Sequence, residues 1–155
     1  MVASLRFKNR RQFNKQLDDF SKNQVPEATV AFQKKIAIDL FGRIIDKNPV
    51  GNPSEWAPSS LPAPPGYVGG RSRGNWQISI TVPAETSLIA IDAEGSATLT
   101  AGLGNLAQAK PFGAIWIFNN VRYITALEKG HSKQAPAGMV GVSLAEVTSF
   151  FQKGQ

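Results

Sequence analysis

Apolar positions in the first third of the chain recur with a helical period. Phe13, Leu17 and Phe20 follow i, i+4, i+7, and Val30, Ile36, Leu40, Phe41, Ile44 and Ile45 keep a spacing near 3.6. Between the two sets stands Val25-Pro26. Proline lacks an amide hydrogen and is tolerated in a first helical turn but not in a helix interior. The pattern therefore predicts a short helix near 9–22 and a longer one near 25–47, stopped by Asn48-Pro49. The period then changes. Trp76-Gln77-Ile78-Ser79-Ile80-Thr81-Val82 alternates apolar and polar, which predicts a half-buried strand closed by Pro83. Thr86 to Ile91 reads as its hairpin partner, and Ala114 to Phe118 as a third strand closed by Asn119-Asn120. Residues 94–109 are ambiguous: Leu99, Leu103, Leu106 and Ala107 have helical spacing, but Gly102 and Gly104 each cost about 1 kcal/mol in a helix relative to Ala. Arg122 to Glu128 predicts a short helical turn ended by Gly130. A last helix is expected from Pro136 to Gln152, with Val140, Leu144, Val147 and Phe151 on one stripe.

Residues 48–75 interrupt this regularity. Six of the ten prolines lie there, with Gly51, Gly66, Gly69, Gly70 and Gly74. Such a segment can neither propagate a helix nor fill a central strand. It also carries Trp56 and Tyr67, so it reads as an extended loop lying on its own domain or on a neighbour. The sum is an α+β fold in one domain, residues 1–155: N-terminal helices, a small mostly antiparallel sheet, a long Pro/Gly-rich loop at 48–75 and a C-terminal helix. A small sheet leaves edges that must be covered or used.

Charge adds one feature. The net charge is +6, and residues 1–48 hold ten basic and five acidic side chains. Residues 1–12 form a basic arm, which reads as a solvated face or as attraction to nucleic acid or an acidic protein surface. A chain without cysteine has no disulfide framework and no thiolate metal site. Residues 1–8 show no apolar h-region, so no secretory leader is expected, and no run approaches the ~18 apolar residues of a membrane span.

Candidate chemistry is sparse. Gly102-Leu103-Gly104-Asn105-Leu106-Ala107 fits a relaxed dinucleotide pattern but lacks the acid about 20 residues on. His131, the single histidine, lies beside Glu128 and Ser132, yet near-consecutive residues at a helix exit do not assemble a triad. It reads as a surface or interface residue. No metal, no cofactor and no catalytic residue is expected, and the chain does not read as an enzyme. Gly69-Gly70-Arg71-Ser72-Arg73-Gly74 is the basic spot of the middle, with no acid between Glu55 and Glu85. Arg71 and Arg73 are expected to face an acidic partner or DNA. Trp76 and Trp116 read as core, and Trp56 as an interface residue.

Several of these stretches together resemble a known family. Pro49-Val50, Gly70-Arg71-Ser72-Arg73-Gly74-Asn75-Trp76, Ile115-Trp116-Ile117-Phe118-Asn119-Asn120 and the run from Tyr123 to Val140 are similar to the tail-completion, or head–tail joining, proteins of long-tailed bacteriophages. The late signature matches at Asn119, Asn120, Tyr123, Leu127, Glu128, Gly130, Ser132, Gln134, Ala135, Pro136, Gly138, Met139 and Val140. The early turn departs, since Val50 is followed by Gly51-Asn52-Pro53 where the family has Asp-Thr-Gly. The resemblance covers about residues 25–150 and leaves out the basic arm. It implies a structural virion protein, made in the host cytoplasm, that forms a ring, commonly a hexamer, between the head connector or adaptor and the tail tube or terminator. The interface residues expected on this reading are Trp56, Tyr67, Arg71, Arg73, Tyr123, Glu128, His131, Gln134, Pro136 and Met139. Tyr123, Glu128, Gln134, Pro136 and Met139 are also expected to fix the shape of the C-terminal helix start. Alternative readings are a tail terminator ring capping the tube and a small basic DNA-binding protein. No membrane partner is expected.

Overall fold

A computed structural model describes residues 9–52 and 65–153. The expectations for Trp56, for residues 1–8 of the arm and for most of the Pro-rich loop fall outside those residues. The fold is α+β: helices pack around a two-stranded antiparallel sheet.

The chain opens with α1 (Arg10–Asp19), a π-helical turn at Phe20–Gln24 and α2 (Val25–Lys47). The two helices expected near 9–22 and 25–47 are one rod, because the backbone stays right-handed helical through Asp19, Phe20, Gln24 and Val25. Pro26 stands in the first turn of α2, and in the wide turn just before it the Val25 amide donates five residues back, to the Phe20 carbonyl. The rod ends where it was expected to. Asn48, forced out of helical geometry by the proline after it, is extended.

Sheet pairing differs from the expected hairpin. β1 (Gln77–Ser79) pairs with β2 (Trp116–Phe118), with Ile78 opposite Ile117. Residues 86–91 form no strand. Side chains hold them instead: Asn120 Nδ2 donates to the carbonyl of Thr86 at 3.1 Å, and the Leu88 amide donates to Asn75 Oδ1 at 2.6 Å. β1 is also shorter than the alternation suggested, because Ser79 Oγ turns back to accept the Thr81 amide.

The core gathers Phe41, Ile44 and Ile45 of α2, Trp76, Ile78, Leu106, Ala135 and Met139. Burying each large apolar side chain is worth about 1.5–3 kcal/mol. The ambiguous segment is helical. α3 (Ser96–Leu106) lays Gly102 against Phe41, where a Cβ would meet the ring at 2.3 Å. The glycine that weakens the helix locally is thus what lets α3 approach α2. Asp92 caps α3 by accepting the Gly95 and Thr98 amides, both at 2.8 Å.

Two further expectations are corrected. Trp116 is 47% exposed, because Ile115 and Ile117 take the inward face of β2 and the alternation turns Trp116 outward. Following α4 (Ile124–Glu128), α5 (Val140–Lys153) starts four residues later than Pro136 suggested, since Pro136 to Gly138 is a turn. On α5, Ser143 and Val147 are buried while Leu144 is exposed. Arg43 joins Asp39 and Glu146, and Lys47 joins the same Glu146, tying α2 to α5 across the surface.

Candidate interaction surface

Four side chains at the end of α2 and in the arginine turn build the base of the site. Asn48 is fully buried. Its Nδ2 donates to Ser72 Oγ at 2.7 Å and to the Pro49 carbonyl at 2.9 Å, and its Oδ1 accepts the Trp76 indole N–H at 2.8 Å. Arg73 forks onto the last carbonyls of α2: its Nη2 lies 2.6 Å from the Asn48 oxygen, and its Nε 3.2 Å from the same atom. A cation there complements the helix C-terminus. Arg73, expected at an interface, is therefore committed inside the chain. Asn75, also fully buried, donates to the Arg71 carbonyl at 2.7 Å. Asn119 donates to the Ser72 carbonyl at 2.7 Å and accepts the Val121 amide at 3.1 Å.

The late segment is fastened to this base. α4 ends in a Schellman turn: the His131 amide reaches the Ala126 carbonyl at 3.2 Å, and the Gly130 amide the Leu127 carbonyl at 3.0 Å. The His131 ring Nδ1 stands 3.0 Å from the same Ala126 oxygen, so this exposed side chain reinforces the turn. Gln134 clamps Val50 with its amide, accepting from the Val50 nitrogen at 3.1 Å and donating to the Val50 oxygen at 2.9 Å. It thereby imitates a strand neighbour across the chain.

Glu128 closes the unit. Its carboxylate accepts the amides of Met139 (2.8 Å), Val140 (2.9 Å) and Gly141 (2.9 Å), the orphan donors at the start of α5. Burial by itself raises its proton affinity, but the three donors outweigh that and hold the carboxyl below its ordinary value. Gly138 makes this approach possible. It has φ +78, and a Cβ there would fall 2.3 Å from the Glu128 carbonyl oxygen. Gly138→Ala is expected to cost at least about 2 kcal/mol, from left-handed strain plus this clash. Urea denaturation would show it as a lower midpoint with an unchanged slope. Met139, expected at an interface, is fully buried in the core of this chain. Pro136 is exposed.

These anchors leave one polar–aromatic cleft of about 410 Å³. Pro49, Val50 and Ser72 form part of its wall, and Tyr67, Arg71, Tyr123, Leu127 and Gln134 line it. Burial pushes the Tyr123 phenol up, against the opposing effect of the Arg71 charge. His131 lies in the adjoining groove of about 720 Å³ with Asn52, Lys133 and Gln134. Of the expected interface residues, Tyr67, Arg71, Tyr123, His131 and Gln134 thus share one face. Arg73, Glu128 and Met139 support it from within. Sequence reasoning took Asn48 only as a helix stop and gave Asp92 no role. The signal for both was available in a polar residue at a helix boundary.

Among the described residues no group of three or more His, Cys, Asp or Glu is gathered where a metal ion could sit. No helix among them is long and apolar enough to cross a membrane. Compared with protein-family models, with curated proteins and with solved structures, the chain matches none.

Proposed function

We propose that this protein is a structural component of a bacteriophage neck, assembling into a ring that completes the tail or joins it to the head. The observation that carries the reading is what the signature residues do. Asn119, Asn120, Glu128, Gln134 and Met139 each fix backbone or fill the core, so the segment from 119 to 140 is a rigid relief rather than a reaction centre. Beside it lies an exposed face with Arg71 and two tyrosines, residue types that anchor protein interfaces. A connector needs a fixed contour presented to copies of itself and to adjoining rings.

The test is genetic and visual. In a phage carrying a nonsense codon in this gene, DNA-filled heads and finished tails should accumulate unjoined in electron micrographs. Added wild-type protein should join them, and the Arg71→Glu/Tyr123→Ala protein should do so at least about tenfold less well, as expected for loss of interface anchors. Normal infectious particles from the nonsense mutant would end the proposal. A salt-titrated gel shift with nucleic acid checks the competing reading, which requires affinity that falls steeply with salt.

A further inference from the structure

Three pockets adjoin on the face of the arginine turn. The cleft of about 410 Å³ shares Arg71 and Tyr123 with a pocket of about 370 Å³ that also holds Ser87 and Arg122. On its other side it shares Leu127 and Gln134 with the groove of about 720 Å³ that holds His131 and Lys133. The two end pockets have no residue in common, so the cleft lies between them and the three make one trough. The trough follows α4. Arg122 precedes the helix, Tyr123 and Leu127 stand about one turn apart along it, and His131 and Lys133 follow its exit.

Its charge has one sign. Arg71, Arg122 and Lys133 are all exposed, and no Asp or Glu lines any of the three pockets. Among the described residues none of these three cations has an ion-pair partner. The contrast with their neighbours is sharp. Arg73 is committed to the carbonyls at the end of α2, and Glu128, on α4 itself, is turned onto the amides of α5. A wall of unopposed positive charge draws a partner of the opposite sign. The middle of the trough differs from its ends, because Pro49, Val50 and Leu127 supply hydrocarbon there.

Two observations choose among anionic partners. A nucleic-acid strand is held by cations along its whole path, and here the path is interrupted by hydrocarbon. A second copy of the chain is a poor donor of acid. The carboxylates left uncommitted among the described residues, Glu27, Asp46, Glu85 and Glu94, are scattered along the sequence and form no acidic run. We propose that the trough seats an acidic segment of a different, adjoining protein, with carboxylates at both ends and an apolar side chain between them. Arg71 and Arg122 take the carboxylate at one end, where a guanidinium can hold it through two parallel hydrogen bonds. Lys133 takes the carboxylate at the other end, and the apolar side chain lies against Pro49, Val50 and Leu127. Tyr123 and Leu127 are about 6 Å apart along α4, and an extended chain advances ~3.3 Å per residue, so the two carboxylates belong to residues at least two positions apart. The floor is fixed in advance by the Asn48 network and by the Gln134 clamp on Val50, so little order is lost on binding.

Fluorescence anisotropy with the full chain at low salt tests the inference. The probe is a labelled peptide of two glutamates, two leucines and two glutamates. It should bind the wild type. Arg71→Glu should weaken binding at least about tenfold, and Arg122→Ala and Lys133→Ala about threefold each. All three side chains are exposed, so the melting temperatures should stay at the wild-type value. Lys153→Ala, at the end of α5 and outside the trough, should change nothing. A peptide with lysines in place of the glutamates should bind only the Arg71→Glu/Arg122→Glu protein, which separates recognition of charge from loss of fold. Four results would overturn the inference: no binding of the acidic peptide, equal binding by the wild type and Arg71→Glu, tighter Arg71-dependent binding of an oligothymidylate strand (a nucleic-acid site), or loss of self-association in Arg71→Glu (a second copy as occupant). The inference rests on the partner-binding part of the proposed function. Absence of peptide binding in a protein still required for joining heads to tails would remove the acidic segment alone, whereas normal particles from the nonsense mutant would end the larger reading whatever the peptide does.

Discussion

Asn48→Ala should destabilise the protein by about 3–5 kcal/mol, the largest loss expected from a single polar truncation here. The reasoning starts from satisfaction. Asn48 is fully buried, and its amide serves three partners: the Trp76 indole, the Ser72 hydroxyl and the Pro49 carbonyl. A buried donor or acceptor stripped of its partner costs about 1–3 kcal/mol. The alanine leaves the indole N–H facing a small void and strips the Ser72 hydroxyl of its shortest contact, leaving it Tyr123 and the longer contact to the Pro49 carbonyl, at 3.4 Å. Urea melts give the size of the loss. Asn48→Asp separates satisfaction from volume. It keeps an acceptor for Trp76 but turns a carboxylate oxygen toward Pro49, so it should be at least as damaging at neutral pH and recover as acid protonates it. If Asn48→Ala melts like the wild type, the network does not hold the cleft.

That outcome bears on the cleft because Pro49 and Ser72 are two of its walls. What the sequence disclosed about this region was its punctuation. Asn48-Pro49 as a helix stop, Asn119-Asn120 as the close of a strand and Gly130 as a helix end all follow from backbone preferences that act locally, and the structure has each of them. Long-range pairing was not legible in the same way. Thr86 to Ile91 has the composition of a strand, but whether it joins a ladder depends on Asn75 and Asn120 reaching it from elsewhere in the chain. The outward face of Trp116 was equally hidden: Ile115-Trp116-Ile117 alternates whichever side is buried, and only pairing with Ile78 decides which.

Glycine at 102 misled for a related reason. Its helix penalty is local and its benefit is tertiary, since Phe41 lies sixty-odd positions earlier in the chain and occupies the space of a side chain. The expected surface residues divide along the same line. Tyr67, Arg71, Tyr123 and Gln134 meet at one cleft, whereas Arg73 and Met139 turned inward. An arginine in a glycine-rich turn gives no sign, in sequence, of the helix carbonyls it will meet. The fixed-shape role expected for Glu128 and Gln134 did surface in the sequence, because the spacing from a helix end to the next helix start limits what the side chains between can bond.

Glu128→Gln should remove about 2–4 kcal/mol at neutral pH, and with it part of the acid sensitivity of the fold. In the wild type, Oε2 accepts two amides and Oε1 a third at the start of α5. Hydrogen bonds to an ionised acceptor are worth about 1.5–3 kcal/mol each, reduced here because the site is partly open to water. A glutamine amide can keep its oxygen on one side only, and its NH₂ then faces an amide that also donates. The sign with pH follows from the lowered proton affinity of the folded state. The stabilisation is complete above the ordinary glutamate value, near pH 4.5, and is lost as pH falls through that value and on through the lower folded one. Asp92 is held down in the same way, burial being outweighed by the donors of Thr98, Gly95 and Ala97, so the wild type keeps a slope in this window even without Glu128. The difference between the wild-type and Glu128→Gln stability curves isolates Glu128. It should be flat from neutral pH down to about pH 5 and shrink below that. A constant difference down to pH 3 would mean that the carboxylate's charge contributes nothing to holding α5 against the site.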